Sequence, residues 1–130
     1  MGFLDLNFDE VFEPKALTQG EYQLRVIDAG VKTSSKGKGD YLGVRLEVMN
    51  EPTAKTIQHV MMLPSSNDDI KKKNNRLFAI QSFIKACGMD PGANFNPEQL
   101  VGSTCWAILT EEADPEYGNQ NRVRKFVAGK

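Results

Sequence analysis

From Tyr41 to Val48 the stretch YLGVRLEVMN, residues 41–50, alternates strictly between its two sides. Leu42, Val44, Leu46 and Val48 fall on one side, and Tyr41, Gly43, Arg45, Glu47 and Met49 on the other. A period of two is that of a strand with one buried face and one wet face. A chain containing it must build a sheet around a one-sided core, and the remaining segments have to fit that demand.

They do. GEYQLRVIDAG, 20–30, puts Tyr22, Leu24 and Val26 on one face and Gln23 and Arg25 on the other, between glycines. A small, basic loop, VKTSSKGKGD, joins this strand to the second. EPTAK then turns the chain into a third strand, TIQHVMML, 56–63. GSTCWAILT, 102–110, and RVRKFVA, 122–128, read as strands four and five, separated by the long polar loop EEADPEYGNQN. Between strands three and four the pattern predicts a helix over Asp68–Cys87. Ser66 or Asn67 caps it, Asp68 and Asp69 suit its positive end, and Gly88 suits its exit. Leu77, Ile80, Ile84 and Cys87 share one stripe, with Phe83 beside it. NPEQL, 96–100, predicts a short helical turn capped by Asn96, with Pro97 in first position.

This order predicts a mostly β fold: a five-stranded, OB-fold-like Greek-key barrel with one main α-helix between strands 3 and 4. Such barrels bind oligonucleotides or oligosaccharides with their second and third strands and two loops. A generic α+β domain gives the same order. The 130 residues suffice for one core. We divide them into an acidic, apolar N-terminal arm, 1–18, and the barrel, 19–130. In the arm Phe3, Leu4, Leu6, Phe8, Val11 and Phe12 are interleaved with acids, and Pro14 interrupts any helix. The arm either packs along the domain edge or docks on a partner subunit.

The formal net charge of −1 does not by itself point to nucleic acid. Its distribution says more. The first 21 residues carry five acids against Lys15 alone, which leaves the rest of the chain positive, with basic runs at 71–76 and 122–125. No apolar run approaches the roughly 20 residues of a membrane helix. The N-terminus lacks the basic and apolar regions of a secretory signal. The expectation is a cytoplasmic protein that makes no use of a membrane, with Cys87 and Cys105 as reduced, buried thiols.

Signatures of catalysis are missing. His59 is the sole histidine and lies within a strand. There is no GxSxG elbow, no zinc spacing and no phosphate loop; SSKGKGD leads into a strand where a phosphate loop leads into a helix. Asp68/Asp69 and Glu111/Glu112 are accounted for by helix capping and by a loop. We therefore expect no enzyme, no catalytic residues, no metal and no cofactor.

Single-stranded nucleic acid is bound by cations that track its backbone and aromatic faces that stack on its bases. Candidates for both occur at compatible places. Lys32, Lys36 and Lys38 lie in the first loop, and Tyr41 and Arg45 on the outer face of strand two, with Gly43 between them giving clearance. Arg25 lies on strand one, Trp106 on strand four with either face open to it, and Tyr117 in the last loop. Arg122, Arg124, Lys125 and Phe126 follow on strand five. Each also has a plainer reading. Tyr41 and Phe126 also read as ordinary edge or core aromatics, Trp106 as a core residue, and Lys71–Lys73 as a solvated helix face.

Three stretches carry a resemblance: LNFDEVFEPKALTQGEYQLRVIDAGVKTSSKGKGDYLGVRLEV, LFAIQSFIKACGM and LVGSTCWAILTEEADPEYGNQNRVRKF. GEY opens strand one, a K-G-rich loop precedes a YLGVR strand, the helix ends at glycine, and LxG precedes strand four. In this pattern the chain resembles a phage and prophage family of unknown function found in replication–recombination gene modules. The resemblance implies an OB-type phage protein that binds single-stranded DNA in the cytoplasm of the bacterial host. Phage or host replication and recombination proteins are its implied partners, and self-association is left open. Many such binders end in an acidic tail; this chain ends RKFVAGK, so an acidic lure would have to be the N-terminal arm. Two other readings stand beside this one: a small phage adaptor or inhibitor that binds a protein, and a metal-dependent nuclease.

Overall fold

The computed structural model describes residues 8, 9, 11, 13–34, 39–90, 92 and 95–127. The elements are β1 (Gly20–Thr33), β2 (Asp40–Val48), β3 (Ile57–Met62), α1 (Ile70–Ala86), a 3-10 turn (Pro97–Leu100), β4 (Thr104–Asp114) and β5 (Gly118–Val127). The strands form one antiparallel sheet in the order β3-β2-β1-β4-β5. The fold is thus mostly β, with five strands and a single helix between β3 and β4, as the sequence predicts. The sheet is not closed. β3 and β5 occupy its two ends, run in the same direction, and share no ladder among the described residues.

The alternation on β2 translates directly into burial: Leu42, Val44, Leu46 and Val48 are all core residues. β1 is long enough to pair with β4 along its first half and β2 along its second. A bulge at Ile27 bends it between the two, the usual means of coiling a strand around a core. Phe83 and Ile84 of α1 and Leu100 of the 3-10 turn cap the interior. Cys87 and Cys105 are free and buried. The neighbouring Cys105 thiol, together with burial, pushes the Cys87 thiol far above its ordinary value.

Three local expectations are corrected. First, residues 111–121 are not a long loop: β4 and β5 run on to a three-residue turn, with Asp114 opposite Gly118. Asp114 Oδ1 accepts the N–H groups of Glu116 and Tyr117 at 2.8 and 2.9 Å, and Gly118 takes a left-handed φ of 75°. A side chain closing a turn onto its own backbone and a glycine at the left-handed position are what such a hairpin requires. Second, α1 begins later than predicted. Asp69, not Ser66 or Asn67, caps it through the Lys72 N–H at 2.7 Å. Asp68 instead accepts the Ser65 N–H at 2.8 Å and Arg76 at 2.9 Å. The Ser65 hydrogen bond, then Arg76 and Lys72, hold its carboxyl below the usual range. Third, only the C-terminal part of α1 reaches the core. Leu77, placed by periodicity on the buried stripe, is 55% exposed, while Arg76 beside it turns toward β3 and donates to Leu63 O at 3.2 Å.

The seam between β3 and β5 is filled by other means. Lys15 bridges Ala54: its N–H donates to Thr53 O at 3.0 Å and its carbonyl accepts from Lys55 N at 2.9 Å. Two residues on, Leu17 is clasped by the buried Asn121 of β5. Asn121 Oδ1 accepts the Leu17 N–H at 2.8 Å, and its Nδ2 donates to Leu17 O at 2.9 Å and Thr110 O at 3.1 Å. Residues 15–17 are therefore built into the body, linking one hairpin to the other. Toward the far end, His59 of β3 meets Phe126 of β5 edge-on at 5.1 Å, and Phe83 of α1 packs on Phe126 at 4.8 Å.

Both fillings make predictions. Asn121→Ala leaves three backbone groups without their partner and should cost about 1–3 kcal/mol, read as a lowered urea midpoint. An unchanged midpoint would show that the clasp contributes nothing. Burial lowers the pKa of His59 below its ordinary 6.5. Between the folded value and 6.5 the unfolded chain binds more protons, so stability should fall as pH drops through that window. That slope should vanish in His59→Phe; its persistence would assign it to other groups.

Candidate functional site

The outer face of β1, β2 and β3 carries three cross-strand rows. They are Asp28–Arg45–Gln58, Gly30–Gly43–Val60 and Lys32–Tyr41–Met62. Tyr41 and Lys32 are thus direct neighbours, an aromatic ring and a cation side by side. A Cβ added at Gly43 would lie 3.4 Å from Tyr41 Cε2 and 3.8 Å from Lys32 Cδ, so both side chains lean over that glycine. The clearance expected at Gly43 is instead found at Gly30, where an added Cβ meets nothing within 4 Å.

Four residues along β2 from Tyr41, roughly 13 Å at strand spacing, Arg45 enters a groove of about 300 Å³. Gln58 of β3 and Gln120 and Arg122 of β5 line it, with Tyr117 and Asp114 from the β4–β5 turn. The groove runs across the outside of the open seam. Lys55 ties the turn down: its Nζ donates to Tyr117 O at 3.0 Å and Asn119 O at 2.9 Å. Tyr117 itself is 64% exposed. Arg122 lies 3.6 Å from Glu112 with both side chains about half exposed, a weak pair. The N–H groups of Tyr117 and Glu116 hold the Asp114 carboxyl below its usual range, so it stays charged at neutral pH.

Of the twelve residues singled out in the sequence, this arrangement gathers Lys32, Tyr41, Arg45, Tyr117 and Arg122 on one connected surface. Arg25 is outward but is engaged by Glu47 in a cross-strand ion pair. Trp106 is outward and half-buried on β4, opposite Gln23 of β1 and Val127 of β5. Gln23 lies nine residues along β1 from Lys32, up to roughly 30 Å of strand. Trp106 therefore belongs to a separate part of the face, next to Lys125, which is exposed opposite Ile108. Arg124 is the extra residue of a bulge in β5 and is exposed. Phe126 is turned inward onto Phe83 and His59. Lys36 and Lys38 lie outside the described residues. Sequence reasoning missed Lys55, Gln58 and Gln120. Alternation on β3 marks Gln58 as outward, but Gln120 was hidden by reading its strand as a loop.

Among the described residues no three His, Cys, Asp or Glu side chains gather into a group that could hold a metal ion. No helix among them is long and apolar enough to cross a membrane. The Lys55 tether is testable: Lys55→Met should free the turn, and hydrogen exchange at Tyr117 and Asn119 should rise while that of β1 and β2 is unchanged. Uniform change across the sheet would instead mean that Lys55 supports global stability.

No curated protein matches the chain. The sequence model of the family described as "Protein of unknown function (DUF669)" matches residues 5–122, nearly the whole chain. The protein belongs to the DUF669 family.

Proposed function

We propose that this protein binds and protects single-stranded DNA, without sequence preference, in phage replication or recombination. The observation that carries the reading is the juxtaposition of Arg45, Arg122 and Tyr117 in one groove across the β3–β5 seam. Cations beside an exposed aromatic ring are the two elements that sequence-tolerant single-strand binding uses. The outer face of β2 and β3, with the loops that flank it, is also where five-stranded Greek-key barrels take oligonucleotides. The phage setting is supported by the sequence resemblance alone. Binding rather than catalysis is favoured because the groove offers positive charge and amides without a nucleophile–base pair.

The reading is tested by titrating a labelled oligo-dT and a blunt duplex at several salt concentrations. Contact with about four phosphates gives a log–log salt slope of about −3 on single strands. Arg45→Gln and Arg122→Gln should each weaken binding to all sequences alike and flatten the slope by about 0.7. Gly30→Leu fills the open track beside Tyr41 and should weaken binding with the fold intact. Equal or tighter binding to duplex would overturn the proposal. A protein-binding adaptor is the second reading, favoured by the exposed Leu77 and Phe78 of α1; it predicts no oligonucleotide binding.

A further inference from the structure

We propose that the exposed apolar face of α1 is the docking site for the acidic N-terminal arm of a second copy of this chain. α1 commits Phe83 and Ile84 to the core, while Phe78 is 65% exposed and Leu77 is similarly bare. These two, with Ile80, Ile84 and Phe95, line an open groove of about 420 Å³. Apolar side chains exposed singly are normal, but a contiguous apolar groove on a surface helix marks an interaction site.

The charge of the helix names the occupant. Between Ile70 and Ala86 there are four lysines and Arg76, and no acid. Arg76 and Lys72 are engaged by Asp68. Lys71 and Lys85 stand at the two ends of the 3-4 spaced row Lys71, Asn74, Phe78, Gln81, Lys85, so a mainly apolar groove that also takes in the Asn74 and Gln81 amides is flanked by a base on either side. The arm is its complement. Phe3, Leu4, Leu6, Phe8, Val11 and Phe12 are interleaved with Asp5, Asp9, Glu10 and Glu13, and no base precedes Lys15.

The Phe8 and Val11 side chains are 71% and 66% exposed, so neither is packed into its own domain. The chain is anchored at Lys15–Leu17. The 14 residues before that anchor span at most ~50 Å when extended. That reach is ample for a neighbouring copy. Each chain carries one arm and one groove, so the exchange either closes as a reciprocal pair or continues head to tail.

The test is sedimentation of the full chain, free of nucleic acid, over a wide concentration range. The expected result is self-association that Phe78→Glu and Phe8→Glu each weaken by roughly tenfold or more, with unchanged circular dichroism. Mixing the two variants should recover part of it, because an intact arm then meets an intact groove. Raised salt should weaken it as well. A chain that is monomeric throughout, or an assembly that both variants leave intact, would overturn the proposal. So would a monomer whose groove takes a labelled peptide of residues 1–14 only in Phe8→Glu and not in the parent, since the arm would then occupy its own groove. The single-strand titration is a separate readout, so either proposal can fail alone.

Discussion

The structure turns on an unclosed edge. A five-stranded sheet coiled around a core leaves β3 and β5 facing each other, and their outer backbone groups need partners. A closing ladder would satisfy them in one step. Here three unlike devices tie the seam together without forming such a ladder: the short extended segment Lys15–Leu17, the Asn121 amide that mimics a peptide group, and the His59–Phe126–Phe83 cluster. Each belongs to a different sequence region, so the seam forms only when the N-terminus, both hairpins and the helix are all in place.

The same edge makes the candidate site. Where the ladder is missing, the outer surface dips, and side chains of β2, β3 and β5 that would lie on separate parts of a flat sheet converge. Lys55 spans the two hairpins from below and holds the turn that carries Tyr117. Asp114 is needed to form that turn, and it places a carboxylate among the arginines. The turn chemistry and the positive field therefore oppose each other, and the groove's net positive charge is modest. Any polyanion taken there would draw further attraction from Lys32 at the far end of the face.

The legible parts of the fold were those set by short-range pattern. Period two located β1 and β2 with their inward residues, a third strand was read at 56–63, and the Asn96–Pro97 cap located the 3-10 turn. Hairpin ends were less legible, because EEADPEYGNQN has the composition of a loop and becomes strand only when two polar edges pair. The helix stripe was legible as periodicity but not as burial: Leu77 lies on the predicted face and is exposed. The site was half legible. Arg45 and Tyr41 follow from the outer face of β2, whereas nothing local says that Phe126 points inward while Lys125 points out. A bulge at Arg124 resets the alternation there.

Sequence alone determined which residues of β1 and β2 face the core, since alternation is a property of neighbours along the chain. It also determined the segregation of acid into the arm and base into later segments. Only the tertiary structure decided that the barrel stays open, that Lys15–Leu17 and Asn121 bridge it, and that Arg45, Gln58, Tyr117 and Arg122 meet. Those contacts join residues as much as 104 positions apart, as in Leu17 and Asn121. Such pairings depend on the coiling and register of the whole sheet, which no local spacing encodes.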